Sequence, residues 1–247
     1  MNPEARRTRS PSAGTGVHLT PVGQRDGPPD SGTSTSGTSG SGHDQRRVRT
    51  GRNESVFPLV MQRLCDALEP AGIPFLFMGG VASMVHGRTS WTHDLDVFVR
   101  RADEPEVETA LVEAGFHHDD EVCSGWLTKY WLDDVMIDVI NTSSGPVYLD
   151  DEMFARGENA VVWSRNIRVL APEDLIVTKA LAQSEETAHY WWDALSVLAS
   201  RELDWPYLVE RARRGPRRIL SLLLYAQSID LAVPDRVIEE LWTTTLG

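Results

Sequence analysis

The stretch Met78–Val99 reads "MGGVASMVHGRTSWTHDLDVFV". Gly79 and Gly80 close one apolar run, and Asp94 and Asp96 stand inside the next. Alternate residues of a strand share a face, so the two carboxylates lie side by side, roughly 6–7 Å apart at the backbone. Leu95, Val97 and Val99 then face the core. Two carboxylates at that spacing repel, and one is driven to take up a proton unless a cation intervenes. A divalent ion such as Mg2+ removes the conflict, because it takes carboxylate, water and phosphate oxygens together.

A third acid has the same setting. In "VMIDVIN" (135–141) Asp138 interrupts an apolar strand. Alone it fits a cross-strand partner for Lys129 or His93. If its strand lies beside Asp94–Val99, it joins the first two acids. Three carboxylates can hold two metal ions about 3.5–4 Å apart, which clamp the attacking and leaving oxygens of a phosphoryl displacement. A Gly-Gly turn that ends a buried strand and opens a short helix lets backbone N–H groups approach a phosphate. Gly79 and Gly80 would therefore cradle a triphosphate, and Asp94 and Asp96 would hold its metal. A D-x-D pair or a Gly-Gly pair alone is weak evidence. The ordered set of strand, Gly-Gly, helix and two acid-bearing strands is specific.

The rest of the chain fits around this set. Residues 1–54 are poor in aromatic and branched apolar side chains and read as a disordered Arg/Gly/Ser/Thr-rich tail. "ESVFPLVMQRLCDALEPAG" carries Val56, Val60, Leu64 and Leu68 at helical spacing and ends near Gly72. "IPFLFM" is a buried-strand run. "EPEVETALVEAG" reads as a helix with Val107, Leu111 and Val112 inside. "GWLTKYWLDDVMIDVIN" reads as a hairpin turning near Asp133-Asp134. His117 and His118, beside Asp119 and Asp120, read as a solvated loop. A short strand "IRVL" precedes a helix opened by Pro172. After Lys179 only helical periodicity remains. The fold class is thus α+β: an α/β core over 55–170 and a helical region over 171–247.

The net charge of −12 is uneven. Residues 1–54 carry +3 and residues 55–247 carry −15. An acidic body is a poor surface for bare nucleic acid unless a basic groove or metal ions intervene. Two cysteines, Cys65 and Cys123, fit a reduced, cytoplasmic protein better than a disulfide. No apolar stretch is long enough to cross a bilayer, so no membrane partner is expected.

These residues resemble the nucleotidyltransferase superfamily typified by DNA polymerase β. Its pattern is a hydrophobic residue, Gly-Gly or Gly-Ser, a spacer, D-h-D on a strand and a later strand acid. Here that is Met78-Gly79-Gly80, Asp94-Leu95-Asp96 and Asp138. "GRTSWTHDLDV" is similar to the small bacterial members, which carry an Arg and a Thr before the first Asp. "APEDLIVTKALA" followed by "YWWDALSVLA" is similar to AbiEii-type proteins, the toxin half of type IV toxin–antitoxin pairs, and to minimal nucleotidyltransferases. The matching helical residues are Lys179 and Asp193. The likeness covers roughly residues 73–200. It departs in having Gly80 where a Ser is frequent, and in having His189 and two tryptophans where a basic residue commonly precedes the helical Asp.

The resemblance implies a mixed β-sheet with flanking helices. It implies transfer of a nucleoside monophosphate from an NTP to a hydroxyl of RNA, protein or a small molecule, with pyrophosphate release and Mg2+ or Mn2+ as cofactor. Asp94, Asp96 and Asp138 would be catalytic and metal-binding. Gly79, Gly80, Arg88, Lys179 and Asp193 would line the nucleotide site. An antitoxin would be a partner. Trp191 and Trp192 fit core packing better than base stacking, and His93 fits packing. Two other readings stand beside this one. The first is a nucleotide- or partner-binding protein that keeps the fold without catalysis. The second, a D-x-D phosphohydrolase, fits poorly because the glycines precede the acids.

Overall fold

The computed structural model describes residues 18–19 and 50–246. Most of the tail expected over 1–54 therefore lies outside the described residues. The first helix, α1 (Thr50–Leu68), begins four residues before Glu54. It buries Phe57, Val60, Met61, Leu64, Cys65 and Leu68, a stripe at three-to-four spacing.

An eight-stranded mixed sheet follows, with the order β1-β7-β8-β2-β3-β6-β5-β4. Its strands are β1 (His18–Leu19), β2 (Phe75–Phe77), β3 (Asp94–Val99), β4 (His117–Ser124), β5 (Leu127–Leu132), β6 (Val135–Ile140), β7 (Glu158–Val162) and β8 (Arg165–Val169). The helices are α2 (Gly79–Val85), α3 (Glu104–Glu113), α4 (Asp151–Arg156), α5 (Pro172–Ala182), α6 (His189–Ser200), α7 (Trp205–Ala212), α8 (Pro216–Ser228) and α9 (Asp235–Leu246). Among the described residues no strand follows Ala171, and no helix is long and apolar enough to cross a membrane.

Pairing at the centre of the sheet positions the acids. β2 runs antiparallel to β3, and β3 runs parallel to β6. Leu95, Val97 and Val99 are fully buried, as the alternation requires. α1 packs against α3 and β6, while α2 packs against β3, α5 and α6. Beyond α5, the buried Arg211 ties the helices to the α4 cap. Its Nη1 is 2.6 Å from Asp150 and its Nε is 2.9 Å from Asp174, which also accepts from Tyr207.

Two hairpins turn in two residues each. Asp133 and Asp134 have φ of 48° and 63°, and Trp163 and Ser164 have φ of 48° and 64°. Both loops have the paired positive φ of a type I′ turn. Aspartate tolerates this region, but tryptophan does not favour it. Tertiary packing holds Trp163 there. Its ring lies 5.3 Å from Phe57 and 5.2 Å from Trp91, centroid to centroid.

The structure departs from the sequence reading in several places, the first being β1 and the opening of α1 inside the stretch read as a tail. His117–Asp120 belong to edge strand β4 and not to a loop, with an irregularity in the β5 pairing between His118 and Cys123. β7 and α4 lacked a readable periodic signal. Val112 is 53% exposed, because five residues beyond Val107 is about 500° of helix rotation, well off the buried face.

The aromatic trio implies a stability test. Phe57→Ala removes the ring that braces both Trp91 and Trp163, with an expected loss of about 3–5 kcal/mol in urea unfolding. A loss under about 1 kcal/mol would show that the Trp163 hairpin stands without it.

Candidate active site

The parallel ladder of β3 and β6 places Asp96 directly opposite Asp138. Asp94, two residues earlier on β3, shares the face. One oxygen from each of Asp94, Asp96 and Asp138 lies within 4.8 Å of the others, and all three residues are half-buried. Asp96 is pushed up to about 7 by burial first, and then by the charges of Asp94 and Asp138. Lys179 and the Gly80 N–H oppose that rise. Burial also raises Asp138, against the pull of Lys129. Crowded carboxylates of this kind suit a hard divalent cation.

The glycine turn is fitted to the same acids. Gly79 has φ +52°, and a Cβ on it would stand 1.8 Å from Asp96 Oδ2. A Cβ on Gly80 would stand 2.0 Å from Thr92 Oγ1. Both positions therefore exclude a side chain, and Gly79 also needs left-handed backbone. The Gly80 N–H donates to Asp96 Oδ2 at 3.2 Å, and the Met78 N–H donates to the Asp96 carbonyl at 2.9 Å. The Thr92 hydroxyl donates to Asp94 Oδ1 at 2.8 Å. The Gly80 amide expected to face a phosphate thus faces a carboxylate here.

Cations surround the acids. Lys129 Nζ lies 2.6 Å from Asp138 Oδ1. Lys179 Nζ lies 2.9 Å from Asp193 Oδ2, and Arg88 Nη1 lies 3.3 Å from the same oxygen. Arg88 also donates to Ser90 and to the Trp91 carbonyl. The Lys179 ammonium sits 4.1 Å from the Tyr190 ring centre.

A cavity of about 220 Å3 opens beside the acids, lined among others by Gly79, Asp96, Trp126, Ser143, Lys179 and Tyr190. Asp96 and Lys179 thus face one space. Arg88 and Asp193 do not line it; Asp193 pairs with Lys179, and Arg88 pairs with Asp193. Tyr190 was not singled out in the sequence, where its neighbours Trp191 and Trp192 draw the eye. Its hydroxyl is pushed up to about 12, by burial and then by the surrounding aspartates. Trp192, expected in the core, is 59% exposed, and His93 is exposed just before β3.

The raised Asp96 carboxyl gives a pH test. An unfolded Asp releases its proton near pH 4, whereas Asp96 holds it to about 7. Across that window the folded chain binds more protons, so this group's contribution to stability falls as pH rises. With chelator present, Asp96→Asn is expected to be more stable than wild type at pH 8, by about 2–4 kcal/mol. The difference should close near pH 4. Urea unfolding at both pH values checks it, and an equal difference at both would refute it.

In sequence comparison no curated protein matches the chain. Among solved structures it is similar to the antibiotic-resistance factor ANT(2'')-Ia, at 17% identity over 71% of this chain and 93% of that one, with a TM-score of 0.42. It is similar to the lincosamide antibiotic adenylyltransferase LnuA in its lincomycin-bound form, at 14% identity over 59% and 97%, with a TM-score of 0.43. It is also similar to an antigenic nucleotidyltransferase-like protein from Paracoccidioides brasiliensis, at 13% identity over 78% and 93%, with a TM-score of 0.45. The model of one family, described as uncharacterised nucleotidyltransferase, matches residues 45–229, and that span includes every acid, glycine and lysine of the site. With three-quarters of its length inside that match, this chain belongs to the uncharacterised nucleotidyltransferase family.

Proposed function

We propose that the chain is a metal-dependent nucleotidyltransferase that moves a nucleoside monophosphate from an NTP to an acceptor hydroxyl. The observation that carries this reading is the meeting of Asp94, Asp96 and Asp138 oxygens within 4.8 Å, beside the Gly79 turn. The donor set fits a divalent ion: it is all oxygen, half-buried and self-repelling. Bound there, Mg2+ or Mn2+ would neutralise phosphate charge and polarise the phosphoryl oxygens.

The chain's own residues supply the rest. Asp94 and Asp96 would hold the metal that accompanies the triphosphate. Asp138 accepts the proton of the acceptor hydroxyl. The acceptor oxygen bonds to the α-phosphorus, the bond from that phosphorus to the β-bridging oxygen breaks, and its electron pair leaves with pyrophosphate. Lys179 faces the cavity and offsets charge that grows on the departing phosphates. Asp193 and Arg88 set the position of Lys179. Gly79 leaves room for Asp96 at the cavity wall, and Gly80 holds the same carboxylate through its N–H.

RNA, protein and small-molecule hydroxyls are the acceptor classes. An AbiEii-type toxin would act on the first and would have an antitoxin partner. NTP as donor, together with the reduced cysteine chemistry, suits the cytoplasm.

The test offers labelled NTPs and Mg2+ with total RNA, aminoglycosides and the protein itself as acceptors. Pyrophosphate release is expected, with label on one acceptor class. Asp94→Ala should lower the rate by about 10²–10⁴-fold, since metal contacts supply several kcal/mol to the transition state. Tight NTP binding with no turnover on any acceptor would favour a binding protein that keeps the fold.

A further inference from the structure

Lys129 pairs with Asp138, one of the three clustered acids. In the antiparallel pairing of β5 with β6 it is directly opposite Asp138. In the parallel pairing of β6 with β3, Asp138 is directly opposite Asp96. Lys129, Asp138 and Asp96 therefore form one row across three neighbouring strands, on one face of the sheet. The Lys129–Asp138 contact is 2.6 Å, and the two side chains are only 17% and 13% exposed. Lys129 also touches Met136 Sδ at 3.4 Å. Met136 sits opposite Asp94 in the β3–β6 ladder, so both partners of the ammonium lie on the face that carries the acids.

A two-ion site shares all three carboxylates between two divalent charges. Here one Asp138 oxygen already has a fixed positive partner. An ion bridging Asp138 would meet that ammonium at close range, in half-buried surroundings where screening is weak. The other lysine, Lys179, is held by Asp193 at 2.9 Å and stands outside this row.

We propose that Lys129 is the second positive centre of the site: the chain holds one divalent ion, on Asp94 and Asp96, and Lys129 replaces the other. Lys129 is then a positioning residue. It acts through Asp138, orienting the carboxylate and supplying the charge that a second ion would bring. This rests on the proposed metal–nucleotide reading and narrows it.

The test counts metal. The full chain is stripped with chelator and titrated with Mn2+ in the presence of the four α,β-methylene nucleoside triphosphates. Ions per chain are read from the Mn2+ magnetic resonance signal after ultrafiltration. Wild type is expected to hold one ion. Lys129→Met, nearly isosteric but uncharged, is expected to hold two, with the spin–spin coupling of a close pair. Lys129→Arg is expected to stay at one. Two ions on wild type, or one on Lys129→Met, overturns the proposal while leaving the metal site itself standing. Asp94→Asn separates the two claims. If it leaves Mn2+ binding unchanged, the metal reading falls and this inference falls with it. A merely structural Lys129 would change stability without changing the count.

Discussion

Repulsion among Asp94, Asp96 and Asp138 is the constraint to which the neighbouring structure responds. Their position follows from a single backbone feature, the parallel register of β3 on β6, which sets Asp96 against Asp138. A slip of one residue would turn one of those acids to the opposite face of the sheet. Each contact around them reduces the cost of that crowding. The Gly80 N–H meets Asp96, the Thr92 hydroxyl meets Asp94, and Lys129 meets Asp138. None of the three neutralises the whole cluster, and Asp96 keeps its proton far above the usual carboxylate range. The fold thus holds a site that suits added positive charge.

Much of this arrangement is written in local pattern. D-h-D in an apolar strand states its own geometry, because alternation fixes which side chains share a face. The Asp133-Asp134 turn is legible for the same reason, and it sets the β5–β6 register. A two-residue loop there pairs Leu132 with Val135, and counting back pairs Lys129 with Asp138. Less local features are harder to read. The Trp163-Ser164 turn has none of the Asn, Asp or Gly that favours positive φ; it is held by Phe57 and Trp91, distant in the chain. Strand β4 hides in "HHDDEV" because an edge strand needs no apolar alternation. Tyr190 and Trp192 are neighbours on one helix, one lining the cavity and the other facing solvent. No periodicity separates them in advance, since α6 packs against both α5 and α8.

A second layer of charge supports the first. Asp193 places its carboxylate between Lys179 and Arg88, so Lys179 reaches the cavity with its position fixed on one side by Asp193 and on the other by the Tyr190 ring. Farther out, Arg211 joins Asp150 at the start of α4 to Asp174 at the start of α5. Burial pushes Asp174 up to about 6, while the Met153 N–H and Arg211 hold Asp150 below the usual carboxylate range, so the link joins two carboxyls of unlike acidity. The two charge systems lie on α5, one near each end. That helix carries nine buried residues among its eleven. It packs against α2 and against α6, α7 and α8.

The cavity draws on both parts of the chain: Gly79 comes from the start of α2 and Asp96 from β3, and Lys179, Thr187 and Tyr190 come from α5, the loop after it and α6. A recombination joint placed near residue 171 would part the acids from their lysine. Because Tyr207 and Arg211 of α7 close on Asp174 of α5, the block that has to stay together runs from the sheet through α5 and α6 into α7.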